Sequence, residues 1–342
     1  MIVGLSRTML ARCLTLLSCF LATLSYPVCK NQTGSAVPFW FLVKAPQGTK
    51  SLYYDADQSG FVPATTDLNS TSAGALATTL KQLWSEKTTD YLIFNDEPPT
   101  ATTYNSTVGH TKGVWAWNVA QDAAIIVQHS TPKFPLGPSQ SSTYQGLGEN
   151  AWMYGQHFAC FSLTVAELAA LAPAAQLTVP DIYDSRVRSS SPASLQSLAS
   201  GQISNDPICS LTSSSSSSSS GLSFHYYAKS SQWNNELYAA CIADKENESL
   251  VVESWIRGSA EGPSCGTTNV LDVQSLAYPN LPAFTEHNDH SKWAVASTGP
   301  LVCASDINRM TTQYERGGSA FCFNDTALAT ALRAAITATD SC

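Results

Sequence analysis

Eight consecutive serines, Ser213–Ser220, close a Ser-rich stretch that runs from Ser185 to Gly221. A tract of that composition cannot bury a core and reads as a flexible loop or linker. It therefore divides the chain. Residues 28–185 are expected as one half, residues 186–221 as the connection and residues 222–342 as a second half.

Strand and helix signals occur on both sides. Val37–Val43 (VPFWFLV) and Tyr91–Asn95 (YLIFN) read as buried strands, with Ser51–Ala56 as a hairpin partner of the first. Ser72–Ser85 places Leu76, Leu80, Leu83 and Trp84 at helical spacing. Lys112–Val119 and Ala123–Ser130 flank a short Ala120-Gln121-Asp122 turn and read as a hairpin. Tyr154–Leu163 reads as a strand and Val165–Leu171 as a short helix. In the second half Leu222–Ala228, Leu250–Ile256, Trp293–Ser297 and Leu301–Ile307 are strand-like, and Thr326–Thr339 reads as an Ala/Leu-rich helix. Strands and helices mixed in both halves indicate a layered α/β or α+β fold.

The N-terminus reads as a secretory signal over residues 1–27. Arg7 and Arg12 supply positive charge, and the apolar run Cys13 to Leu24 is too short to span a membrane. No later stretch has the roughly eighteen uncharged apolar residues of a spanning helix, so no membrane anchor is expected. Outside the leader stand Cys29, Cys160, Cys209, Cys241, Cys265, Cys303, Cys322 and Cys342, an even set that suggests disulfides in an oxidising compartment. No CxxC pair or His/Cys cluster has zinc spacing, and no metal or other cofactor is expected. Asn31, Asn69, Asn105, Asn247 and Asn324 each head a glycosylation sequon. The protein is thus expected to be secreted or lysosomal.

The formal net charge is −8, and loss of Arg7 and Arg12 with the leader makes the chain more acidic still. That disfavours unspecific nucleic-acid binding at neutral pH. In an acidic compartment histidines gain charge and some carboxylates lose it. There an acidic chain can accept a phosphate substrate.

One short pattern occurs in each half: His110-Thr111-Lys112 and His290-Ser291-Lys292. On a strand, residues i and i+2 share a face, so each triplet can present an imidazole beside a fixed cation. A single His-x-Lys is weak and recurs by chance. Two facing copies would make a phosphate pocket. One histidine could attack phosphorus and the other protonate the leaving oxygen, while Lys112 and Lys292 neutralise the phosphate. His129, Asp306 and Asn308 follow the triplets at comparable spacing and could return beside them. A strand hydrogen bond for His129 and a turn or cap for Asp306 and Asn308 are the plainer readings. His157, His225 and His287 lack triplet context and carry less weight. Trp115, Trp117, Trp152 and Trp293 read as core or rim aromatics, and Arg316-Gly317-Gly318 as a turn or an anion-binding loop. No Walker loop, GxSxG, HExxH or EF-hand pattern is present.

Gly109-His110-Thr111-Lys112-Gly113-Val114, Asn95-Asp96-Glu97-Pro98-Pro99 and Asp289-His290-Ser291-Lys292-Trp293 resemble motifs of the deoxyribonuclease II family. Tyr154-Gly155-Gln156, Asp306-Ile307-Asn308-Arg309 and Arg316-Gly317-Gly318 are similar to further blocks, and the likeness runs from about Cys29 to Cys342. The resemblance implies a phospholipase D-like α/β fold. Two pseudo-symmetric halves with mixed sheets flanked by helices each give one HxK motif to a shared site. It also implies a metal-independent acid endonuclease that cuts DNA to 3′-phosphate ends through a phosphohistidine. His110 would be the nucleophile, His290 the acid, Lys112 and Lys292 the phosphate holders and His129 a supporting group. The pseudo-symmetry leaves the reverse assignment of the histidines open.

The chain departs from the superfamily pattern in one respect. Where such enzymes often carry an aspartate seven residues after the motif histidine, Trp117 and Ser297 stand here. Asp306 or Asn308 could substitute in the second half. The poly-serine run looks like an insertion. The resemblance suggests disulfides Cys29–Cys160, Cys265–Cys342 and Cys303–Cys322, which leaves Cys209 and Cys241 for each other. A homodimer is compatible with the family. The competing readings are a secreted noncatalytic member that binds DNA or a host partner, and an enzyme of the same fold that acts on a phospholipid or another phosphodiester.

Overall fold

A computed structural model describes residues 26–214 and 221–342. The leader, apart from its last residues, and the serines at 215–220 lie outside the described residues.

Two sheets form the molecule. In the first, the strands Phe39–Lys44, Gln156–Leu163, Ala123–His129, Lys112–Asn118 and Asp90–Asn95 lie side by side in that order. In the second, Phe224–Lys229, Gly318–Asn324, Leu301–Ser305, Trp293–Ala296 and Leu250–Glu253 repeat the arrangement, with the same order of connections. All pairs within these two sets are antiparallel. The second sheet is mixed, because Leu250–Glu253 pairs in parallel with Val270–Leu276. The first, expected to be mixed, is antiparallel throughout its described strands; its neighbours include tight hairpins, which only antiparallel pairing permits.

Alternation along the strands explains how the layers close. Phe39, Phe41 and Val43 point into a core shared by both sheets, while Trp40 and Leu42 face the outer layer that covers the first sheet. Phe224, Tyr226 and Ala228 enter the shared core from the other side. The sheets meet on aromatic faces, with the rings of Phe161 and Phe321 stacked 3.9 Å apart and those of Phe39 and Phe323 4.8 Å apart. Helices Ala75–Leu80 and Gln82–Ser85 cover one outer face, and the helical turns at Tyr238–Ala243 cover the other.

Three segments differ from the sequence reading. The Ser-rich connection carries a helix, Ala193–Ala199, that buries Leu195 and Leu198. It also carries a strand, Cys209–Ser214, on the edge of the second sheet. An edge strand is held by backbone hydrogen bonds and needs few apolar side chains, so serine content was a poor guide there. The helix that starts at Val165 runs on to Leu177, through Pro173, because Ala172, Ala174 and Ala175 lie in the shared core. The C-terminal helix stops at Ala335, and Ile336–Thr339 instead pairs with Val270–Leu276; its β-branched residues favour a strand.

Four disulfides close Cys29–Cys160, Cys209–Cys241, Cys265–Cys342 and Cys303–Cys322. Of the sequon asparagines, Asn247 and Asn324 are exposed, and Asn31, Asn69 and Asn105 are half-buried.

Candidate active site

Both triplets lie at the starts of equivalent strands rather than within them. Lys112 is the first residue of Lys112–Asn118, and Lys292 immediately precedes Trp293–Ala296. The histidines stand ahead of the strands because each is captured by the opposite half. The backbone N–H of His110 donates to the Gly317 carbonyl at 2.8 Å, and that of His290 donates to the Gly155 carbonyl at 2.9 Å. Each lysine then folds back alongside its own histidine. Lys112 Nζ donates to His110 O at 3.3 Å and Lys292 Nζ to His290 O at 2.5 Å.

His110, Lys112, His290 and Lys292 all line one cavity of about 680 Å³, together with Asp96, Asn308 and Arg316. Asn308 is buried, and among the described residues its Oδ1 has no hydrogen-bond partner. His110 Nδ1 bonds to the backbone carbonyl of Asp306. A carbonyl only accepts, so Nδ1 carries the hydrogen and Nε2 keeps its lone pair. The Asp306 side chain does not reach the cavity lining; it is buried against Ser319 and lies 3.3 Å from Gln128 Nε2.

His129 is also absent from the lining. It ends its strand fully buried, accepts from Thr131 N at 3.2 Å and stacks on Phe134 with ring centroids 4.1 Å apart. Burial, reinforced by Lys112, His157 and Lys292, holds its pKa well below the ordinary value.

Several participants had no assigned role in the sequence reading. Asp96 is buried and pairs with Lys112, with Arg316 Nη2 at 3.0 Å and with His110 Nε2 at 3.9 Å. Burial alone would raise its pKa, but Lys112, His110 and Arg316 outweigh that and hold the carboxyl well below the usual carboxylate range. The position seven residues after His110 cannot supply this anion, since Trp117 is buried in the shared core. His157 is buried and accepts the backbone N–H of Lys292 at 3.1 Å. Only the neighbouring Asn95-Asp96-Glu97 block hinted at Asp96, and nothing local marks His157.

A second pair of lysines completes the pseudo-symmetry. Lys44 pairs with Gln156 in the first sheet and Lys229 with Gly318 in the second. Lys44 Nζ donates to the Trp152 carbonyl at 3.1 Å, and Lys229 Nζ donates to those of Gln313 and Tyr314 at 3.0 and 2.8 Å. Each therefore grips the loop just ahead of the glycine that holds the other half's histidine. Burial pushes both ammonium groups down to about 8.

The two histidines have unlike surroundings. His290 stacks on Tyr154 and lies against the tilted ring of Trp255, each with its ring centroid 4.2 Å away. Burial, Lys292 and Lys112 push it down to about 2, and burial with repulsion from Lys112 lowers His110 well below its ordinary value. Lys292 is pushed down to about 7 by burial and by Lys112. Burial and the lysines thus disfavour both imidazolium forms, and Lys112 and Lys292 present positive charge to an incoming anion.

Two sheets packed face to face, each giving one His-x-Lys triplet to a common cavity, define a phospholipase D-like protein. The chain belongs to the deoxyribonuclease II family, whose model matches residues 28–342. It is 32% identical over 327 residues to the putative deoxyribonuclease-2 of Burkholderia thailandensis, covering 89% of this chain and 90% of that one. It is 29% identical over 334 residues to deoxyribonuclease-2-alpha of Rattus norvegicus, covering 92% and 94% of the two chains. With deoxyribonuclease-2-alpha of Sus scrofa it shares 30% identity over 335 residues, 92% of this chain and 90% of the other.

Proposed function

We propose that this protein is an acid endodeoxyribonuclease that hydrolyses DNA phosphodiesters to 3′-phosphate ends without a metal ion. The observation that carries this reading is the convergence of His110, Lys112, His290 and Lys292 on one cavity. Family membership supports DNA as the substrate.

In this mechanism His110 Nε2 attacks phosphorus. Its Nδ1–H stays bonded to the Asp306 carbonyl, so the developing imidazolium is held in place. The P–O5′ bond breaks and the 5′-oxygen takes a proton from His290. A phosphohistidine on the 3′-phosphorylated strand remains. Neutral His290 then takes a proton from water, the water oxygen attacks phosphorus, and the P–N bond breaks to free His110 and the 3′-phosphate end. Lys112 and Lys292 carry the charge that builds on the non-bridging oxygens.

His290 must be protonated at the first step. Burial and the lysines oppose this. A bound phosphodiester brings a negative charge beside the ring and offsets the lysines, so the proton is taken up with the substrate. Low pH supplies it, which suits a lysosomal or acidic extracellular setting. The four disulfides support passage through the secretory route.

The test is cleavage of supercoiled plasmid at about pH 5 in excess chelator, with end-group analysis of the products. 3′-Phosphate ends and complete loss in His110→Ala are expected. A requirement for magnesium, 5′-phosphate ends, or activity retained by His110→Ala would each overturn the mechanism.

A further inference from the structure

The two histidines of the cavity differ in their aromatic surroundings and in how far the arginine near each is already committed. Near His110, Asp96 is shared by Lys112 and Arg316. Arg316 is only 8% exposed and is committed to Asp96 and to the carbonyls of Asn105 and Val108. Around His290 lie Tyr154, Trp255 and Arg257. Arg257 is exposed and sits over the Trp255 ring at 5.7 Å. Among the described residues its guanidinium makes one hydrogen bond, a 3.5 Å contact to Tyr154 Oη. Trp255 is pinned by its indole N–H to the His287 carbonyl at 3.1 Å. Arg257 is thus a cavity-lining cation with most of its donors open, mounted on an anchored aromatic plate.

Such a group has the chemistry to take a second phosphate. A guanidinium forks two phosphate oxygens, and the pinned indole limits the freedom Arg257 must lose. At the His110 end Arg316 is already committed to Asp96 and to backbone carbonyls, so it offers no comparable open fork. We propose that Arg257, supported by Trp255, binds the phosphate next to the scissile one on the leaving-group side. The site thereby gains a polarity: the strand downstream of the cut runs over Trp255. This rests on the nuclease reading with His290 as the acid, because that assignment places the 5′-oxygen leaving group at the His290 end. The ligand class is a polynucleotide strand with at least one phosphate beyond the bond to be cut.

The test separates binding from cleavage. Three fluorescently labelled ligands are compared on His110→Ala protein by anisotropy: the dinucleotide TpT, TpTp with one extra downstream phosphate, and pTpT with one upstream. TpTp is expected to bind about tenfold more tightly than TpT, with no comparable gain for pTpT. Adding Arg257→Gln should abolish the gain. Adding Lys245→Gln, an equal charge loss at an exposed lysine outside the cavity, should leave it intact. With a longer single strand, Arg257→Gln should also lower the salt slope of log Kd by about 0.7, the loss of one phosphate contact. A merely structural role for Arg257 would leave that slope unchanged. A gain that survives Arg257→Gln, or a preference for pTpT, overturns the proposal. Plasmid cleavage by the wild-type chain is measured separately. Cleavage without the Arg257-dependent gain sinks this inference alone, whereas the gain without cleavage sinks the nuclease reading alone.

Discussion

The backbone N–H of His110 lies 2.8 Å from the carbonyl oxygen of Gly317, a residue of the opposite half. The placement of the first histidine thus depends on a loop that packs from the second sheet. Gly317 has no room for a side chain, since an added Cβ would fall 2.3 Å from the backbone oxygen of Thr178.

Gly317→Ala is therefore expected to shift the loop and with it His110. On the proposed mechanism a misplacement of about 1 Å lowers kcat by on the order of 100-fold. Gly60→Ala, at a site with nothing within 4 Å of the added carbon, is the matched control. Plasmid nicking rates with thermal unfolding curves would check this, and a fully active, folded Gly317→Ala protein would refute the positioning role.

Asp96→Asn removes the anion shared by Lys112 and Arg316. Two buried cations lose their partner, which is expected to cost about 3 kcal/mol in stability and to lower kcat/KM by about 100-fold. The sign with pH follows from the depressed folded-state value of this carboxyl. Its stabilisation is present above the unfolded value of about 4 and is lost only as pH falls toward the lower folded value. The gap between wild type and variant in urea melts should hold at about pH 5 and shrink in stronger acid. An equal gap far below the unfolded value would contradict this.

Lys292 is pushed down to about 7, so its charge fades as pH rises through neutrality. Phosphate binding is expected to weaken in step, adding a second, steeper limb near that value to the alkaline decline that loss of the His290 proton already sets. Lys292→Arg keeps its charge at all accessible pH and should move this second limb upward even where the maximal rate falls. A pH profile unchanged in shape by this substitution would rule Lys292 out as its origin.

The buried strands were legible because apolar runs such as Phe39–Lys44 and Asp90–Asn95 are continuous in the chain. The triplets were legible for the same reason, each being three adjacent residues. Asp96, His157 and Gly317 act through contacts between strands or between halves, and no local pattern records those. His129 ends its strand buried against Phe134, a placement that its spacing from His110 does not reveal. The Ser-rich segment misled because composition reports what side chains can bury. A strand such as Cys209–Ser214 is held by its backbone.

The bond between Cys209 and Cys241 has a consequence for the lifetime of the molecule. The other three disulfides each join cysteines on the same side of the serine run, whereas this one bridges it. A protease that severed the chain among those serines would leave both fragments covalently strapped together, with the Gly317 and Gly155 grips still within reach of their histidines. Such a nicked form would migrate as one species until reduced. The chain would thereby tolerate a cut at its least apolar stretch.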